Sequence, residues 1–195
     1  MKLGDTDRLE AFSDGVMAVI ITIMAFSIPT PEASTAAALR ALVPHLLVYV
    51  LSFVMVAIYW VNHHHLLRSA ERISGAVMWS NLFLLFWLSL FPIVTAWVGR
   101  FPESALAAAC YGLIGLGAGA AYSLLVRMII RTDGPDSAVG RSLGTDRKGY
   151  ASLVLYLVGA GLAHYSTWLS YAVYASVAVL WFIPDRRLSR APRPS

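Results

Sequence analysis

Residues 41–67 read ALVPHLLVYVLSFVMVAIYWVNHHHLL, twenty-seven consecutive positions without Asp, Glu, Lys or Arg, held between Arg40 and Arg68. A helix needs about 20 mainly apolar residues to cross roughly 30 Å of hydrocarbon. The run therefore predicts a membrane span over about Leu42 to Asn62. The same criterion, carried outward, finds a first span from about Leu9 to Ile28, ended by Pro29-Thr30-Pro31. A third covers Ser74 to Gly99 and a fourth Ser104 to Val126. From Gly149 to Pro184 the chain has 36 residues free of charge, too long for one crossing. They predict two spans joined by a tight turn near His164 to Thr167. The expected fold is an all-α integral membrane protein of six transmembrane helices.

Composition excludes the soluble alternatives. Of 195 residues, 58% are apolar and 13% charged, and the mean hydropathy is +0.65. Typical globular chains carry about twice that charged fraction, and so few charges cannot cover the surface of a small soluble domain. The same numbers exclude intrinsic disorder. The single Cys110 excludes an internal disulfide framework and a cysteine-built metal site. No phosphate-binding Gly-Lys-Thr/Ser loop and no nucleophile matched to the histidines are present, so an enzyme is not expected.

The scarce basic residues set the orientation. With six spans both termini share a side with the 2–3 and 4–5 loops. That side holds Lys2, Arg8, Arg68, Arg72, Arg127, Arg131, Arg141, Arg147, Lys148, Arg186, Arg187, Arg190 and Arg193. The other side holds Arg40 and Arg100. Thirteen against two places both termini in the cytoplasm. Topology accounts for the net charge of +4, so nucleic-acid binding is not expected. Asp5, Asp7 and Asp14 are wrong for a cleaved secretory signal, and the first helix is read as retained. Residues 1–185 form one expected domain. Residues 186–195 are a basic tail, read as disordered and able to touch anionic lipid. Residues 131–148 are read as a cytoplasmic loop, and the two halves show no internal repeat.

Ionisable residues inside a span are costly and mark function by default. The first helix carries Arg8, Glu10, Ser13 and Asp14. Asp7 and Glu10 fit an N-cap with its capping-box partner, and Arg8 fits the headgroup layer. Asp14 lies nearly two turns in. The second span ends in Tyr59-Trp60-Val61-Asn62-His63-His64-His65 at the same face. Successive histidines point about 100° apart on a helix, so this tract alone does not bind one metal. Buried polar groups need partners. Asn62 and one or two of the histidines are therefore expected to reach Ser13, Asp14 and Arg8.

A helical wheel separates the faces of the first span. With Val19 at zero, Ile23 lies at about +40°, Thr22 at about −60°, Phe26 at about −20° and Phe12 at about +20°. Asp14 lies at about −140°, on the opposite side. Periodicity leaves open whether the apolar stripe meets lipid, a neighbouring helix or a pore. In the fourth span, Gly112, Gly115, Gly117 and Gly119 predict close helix packing. Pro92 predicts a kink in the third. His45 and His164 sit near the outer ends of their spans.

The string Arg8-Leu-Glu-Ala-Phe12-Ser13-Asp14 resembles the opening motif of the transmembrane protein 175 family of potassium-permeable channels. That motif is a basic residue, three variable positions, then Phe-Ser-Asp. Tyr59-Trp60-x-Asn62-His63-His64, and Asn81 with Phe91-Pro92, are similar to the same family. The likeness is good over residues 5–100 and rests on span count beyond. It implies a homotetramer of six-helix subunits in the cell membrane, and a single unit per chain implies a bacterial or archaeal source. The first helix would line a central pore permeable to K+ and other monovalent cations, without a resident cofactor. Val19, Ile23 and Phe26 would narrow it, and Thr22 would offer a ring of hydroxyls. The family has Ile or Leu at its constrictions, so Val19 and Phe26 depart from its pattern. Arg8, Phe12, Ser13, Asp14, Trp60, Asn62, His63, His64 and Asn81 would form a polar network fixing the helix rotation. Two other classes remain: a haem-binding redox protein using His45 and His164, and a proton-coupled transporter using Asp14 and the histidines.

Overall fold

A computed structural model describes residues 3–143 and 146–182, and the described residues are helical throughout apart from short connections. In order the helices are α1 (Leu3–Phe26), α2 (Ala36–Ala41), α3 (Val43–Arg68), α4 (Gly75–Ser89), α5 (Phe91–Arg100), α6 (Ala105–Asp133), α7 (Ala138–Leu143), α8 (Arg147–Leu162) and α9 (Thr167–Phe182). Hydroxyl and carboxyl side chains start several of them by accepting from the free first-turn amides. Thr35 accepts from Ala38 N, Ser74 from Val77 N, Ser104 from Ala107 N and Asp146 from Gly149 N.

Four segments are long and apolar enough to cross a bilayer: 6–26, 43–68, 75–100 and 105–133. The third is two helices. Leu90 closes α4 and opens α5, with Pro92 in the first turn of α5. Proline has no amide hydrogen, and its ring clashes with the carbonyl four residues back. The expected kink is therefore a break at the single residue Leu90. α8 and α9 have 16 residues each, about 24 Å of helix. The turn between them covers residues 163–166, at the position read from the sequence.

Two sequence expectations are corrected. α1 begins by Leu3, so Asp7 and Glu10 lie within the helix and form no capping box. Residues 131–148 are not simply a loop: α6 continues to Asp133 and α7 follows. The basic tail, residues 186–195, lies outside the described residues.

α6 is the hub, packed against α4, α5, α8 and α9, while α1 lies on α3, α4 and α5. The α6 glycines are receptacles for aromatic rings. A Cβ on Gly112 would stand 2.2 Å from the Tyr174 hydroxyl, one on Gly115 2.3 Å from the Tyr156 ring, and one on Gly117 2.3 Å from the Trp87 ring. Missing side chains thus admit large rings and bring the helices close, as the small-residue pattern predicts.

Polar contacts gather the basic ends of the helices together. The Asp133 carboxylate accepts from the Glu71 and Arg72 amides at 2.9 and 3.1 Å, and the Arg72 guanidinium donates to the Thr132 carbonyl. Ser74 and Thr132 hydroxyls meet at 3.0 Å. Near the start of α8, Arg127 at the end of α6 donates to the Tyr150 hydroxyl at 2.6 Å. The start of α1, end of α3, start of α4, end of α6 and start of α8 therefore share one end of the bundle. That end carries Arg8, Arg68, Arg72, Arg127, Arg131 and Lys148, while Arg40 and Arg100 lie at the far ends of their helices.

Candidate functional site

α1 presents three distinct faces. Leu9, Ser13, Met17, Ile20 and Met24 are buried against α3, α4 and α5. Phe12, Val19, Ile23 and Phe26 are exposed, at 53, 56, 51 and 84%. Thr22 belongs to this exposed stripe, and its hydroxyl donates to the Ala18 carbonyl at 2.9 Å. That bond commits the only proton and leaves the Thr22 oxygen lone pairs on the exposed side. The third face is acidic. Asp14 accepts from Trp60 Nε1 at 2.9 Å, and Glu10 meets His64 Nδ1 at 2.5 Å.

On the buried face a directed chain of hydrogen bonds runs from α3 through α4 to α1. The Ser13 hydroxyl donates to the Leu9 carbonyl at 2.8 Å, so its oxygen can only accept from elsewhere. Asn81 Nδ2 donates to it at 3.0 Å, which turns Asn81 Oδ1 toward His63. His63 Nε2 lies 2.6 Å from that oxygen and must carry the proton. His63 Nδ1 is buried and meets no hydrogen-bond partner among the described residues, so the ring sits as the Nε2–H tautomer. Ser13, Asn81 and His63 are each fully buried. Such a chain demands that α1, α3 and α4 keep one relative rotation and depth, because each donor has a single acceptor within reach.

The structure thus brings together Ser13, Asn81 and His63 in one cluster, and Asp14 with Trp60 in a neighbouring one. Three residues expected there stand apart, Phe12 among them on the exposed stripe. Asn62 Nδ2 donates to its own helix, to the Ile58 carbonyl at 2.8 Å, and its backbone carbonyl accepts from Tyr122. It faces the cleft among α3, α6, α8 and α9. Arg8 is exposed and forms no hydrogen bond or ion pair with these groups among the described residues. Glu10, read from the sequence as a cap residue, takes the place they were given. Its spacing explains the error: position three after Asp7 satisfies the capping box, but also lies one turn before Asp14, facing the end of α3.

His45 and His164 have separate neighbours. The His45 ring lies against Gly99, and His164 stacks edge-on with Tyr165. His64 and His65 lie ring to ring at 5.7 Å, and no group of three or more metal-ligating side chains occurs among the described residues.

Residues 8–92 match the family described as endosomal/lysosomal potassium channel TMEM175. A potassium channel of Chryseobacterium sp. (strain P1-3) is 40% identical over 184 residues, 94% of this chain and 96% of that one. A potassium channel of Streptomyces collinus is 34% identical over 138 residues, 67% of each chain. A crystal structure described as a lysosomal potassium-selective channel TMEM175 homolog from Chamaesiphon minutus superimposes with a TM-score of 0.81 at 27% identity. That match covers 93% of this chain and 98% of the other. The matched segment 8–92 contains α1 with its stripe, the Ser13–Asn81–His63 chain and the break at Leu90, and the identity extends over nearly the whole sequence. This chain belongs to the TMEM175 family.

Proposed function

We propose that this chain is a potassium-permeable cation channel whose pore is lined by α1 of each subunit and narrowed by apolar side chains. It is a multi-pass membrane protein and not an enzyme, like the channels it resembles. The observation that carries the pore assignment is the division of α1. One face is buried and hydrogen-bonded, while Val19, Thr22, Ile23 and Phe26 stand exposed on another. The active unit is a homotetramer of six-span subunits in the cell membrane, with both termini cytoplasmic. The polar and basic end of the bundle is its inner mouth, and residues 1–185 act as one channel domain with a basic tail at 186–195.

The mechanism follows from the geometry. Four copies of the stripe around an axis form stacked rings of Val19, Ile23 and Phe26. Such rings can exclude water and ions when narrow, and conduct when dilation wets them. The Thr22 ring lies between them. With its protons committed to Ala18 carbonyls, it turns oxygen lone pairs toward a partly dehydrated cation. Permeation needs no resident cofactor, and K+ is cargo. Asp14 and Glu10, engaged by Trp60 and His64, hold the rotation that aims the stripe inward and are not ion ligands. The haem and transporter readings are not favoured, because the relatives are named channels.

The test is flux from proteoliposomes in K+, Na+ and Cs+, with single-channel recording. Thiol reagents should block current through Val19→Cys and Ile23→Cys channels. Failure of both cysteines to alter conductance removes the pore assignment, and saturable flux without unitary currents removes the channel.

A further inference from the structure

A second buried polar cluster lies toward the other end of α1, and the reading above leaves it unused. Thr95 in α5 donates from Oγ1 to Ser52 Oγ in α3 at 2.7 Å, and Ser52 Oγ lies 3.0 Å from the Tyr111 hydroxyl in α6. Met24 Sδ of α1 rests 3.8 Å from the same Thr95 oxygen. All four side chains are buried, Ser52, Met24 and Tyr111 completely. Hydroxyls within spans usually satisfy themselves on the carbonyl three or four residues back. Ser13, Thr22 and Thr132 do so here. Ser52 and Thr95 do not: their hydrogen bonds run between helices. Thr95 also sits one turn beyond the break at Leu90, where the third span has lost its continuous backbone ladder and α5 needs an external hold.

We infer that the Thr95–Ser52–Tyr111 chain is a positioning latch for the outer half of the conduction path, setting the placement of Ile23 and Phe26 through Met24. This rests on α1 being the pore helix. Met24 is the direct chain neighbour of Ile23 and lies two residues from Phe26, on the face turned away from the stripe. Where α5 goes, Met24 must follow, because the sulfur is packed on Thr95 with no free volume at a fully buried site. The Ser13–Asn81–His63 chain holds the inner half of α1 independently. Two anchors at two depths then allow the outer constriction to be displaced without disturbing the inner one.

The test uses the assembled channel in a Cys110→Ala background, with single cysteines at Phe26 or Ile23 and, at the inner end, at Phe12. Modification rates by a charged thiol reagent are read from current decay. Thr95→Val keeps the shape and removes the hydrogen bond. It should change the rates at Phe26→Cys and Ile23→Cys by about fivefold, the factor expected for one net hydrogen bond. The rate at Phe12→Cys should stay within about twofold. Thr95→Ser should restore the original rates, and Ser52→Ala should reproduce the Thr95→Val pattern, carrying the test if Thr95→Val fails to assemble. Equal change at both ends means general loosening and overturns the latch, as does no change at either end. If none of the cysteines affects current in channels that retain Thr95, the pore assignment itself fails, and the latch with it.

Discussion

Asn81→Leu isolates what the inner anchor contributes. Leucine keeps asparagine's heavy-atom count and branched outline, so no cavity opens and the change is chiefly polar. Asn81 makes two hydrogen bonds, accepting from His63 and donating to Ser13. The two ends differ when it is lost. Ser13 keeps its bond to the Leu9 carbonyl and remains satisfied. His63 keeps nothing: Nδ1 has no partner among the described residues, and Nε2–H becomes a buried donor without an acceptor. Two lost bonds contribute about 1 kcal/mol at the average measured within bilayers, and the orphaned N–H adds about 1–3 kcal/mol. The expected cost is about 2–4 kcal/mol. Adding His63→Phe removes the orphan while keeping a planar ring in place. The double variant should therefore be more stable than Asn81→Leu alone by about 1–2 kcal/mol. The assay is SDS-driven unfolding in mixed micelles, followed by tryptophan fluorescence. A double variant as unstable as the sum of the two single changes would refute the directed chain of donors.

Three further outcomes follow from other contacts. Gly115→Ala puts a methyl 2.3 Å from the Tyr156 ring, and overpacking of this kind costs about 1–3 kcal/mol; thermal unfolding in detergent should show it, with partial rescue by Tyr156→Leu. Asp133→Asn weakens the clasp on the Glu71 and Arg72 amides and on the Arg72 guanidinium. Limited trypsin digestion should then cut after Arg68 or Arg72 measurably faster, with the unitary conductance unchanged. Ile23→Ser places a hydroxyl in the proposed constriction, easing its wetting, and should raise resting K+ flux from proteoliposomes; unchanged or lower flux would count against an apolar barrier at this level.

Much of the fold is legible in the sequence because membrane spans are written in bulk composition. The charge-free runs around 42–62, 74–99 and 104–126 appear as α3, as α4 with α5, and as α6. The turn near His164 is legible for the same reason. Helix ends are harder to read, because capping residues and membrane anchors use the same side chains. Asp7 with Glu10 makes a valid capping box in a helix that in fact starts earlier. The fourth span ends seven residues later than hydropathy indicates, because Arg127 and Arg131 extend the helix into the polar region while reading as loop.

At the candidate site, one-dimensional reading correctly separates the apolar stripe from Ser13 and Asp14, since rotation about a helix is fixed by residue number alone. Which partners meet across helices is not fixed that way. Asn62 and His63 are adjacent in sequence and differ by about 100° in direction. Only His63 faces α4, where Asn81 waits, and Asn62 turns toward α6. The Thr95–Ser52–Tyr111 chain is not legible in the sequence for a related reason. Single Ser, Thr and Tyr residues in apolar runs carry no charge, and each could have bonded its own helix.

The two buried chains explain why an apolar conduction path of the proposed kind needs polar residues that do not touch it. Inside a bilayer, lipid tails are as apolar as Val, Ile and Phe, so burial gives α1 almost no preference for one rotation over another. A turn of the helix by 100° would exchange one apolar side chain for the next at little cost and would destroy the proposed constriction. Rotation must therefore be set by groups whose alternatives are expensive. Ser13 turned toward lipid would leave Asn81 without its acceptor, and Asp14 turned away from Trp60 would face hydrocarbon unpaired. These penalties lie on faces away from Val19, Ile23 and Phe26, so the proposed pore surface can remain free of fixed charge. Their loss should appear first as heterogeneous unitary conductance, from subunits in mixed rotations, before the bundle comes apart.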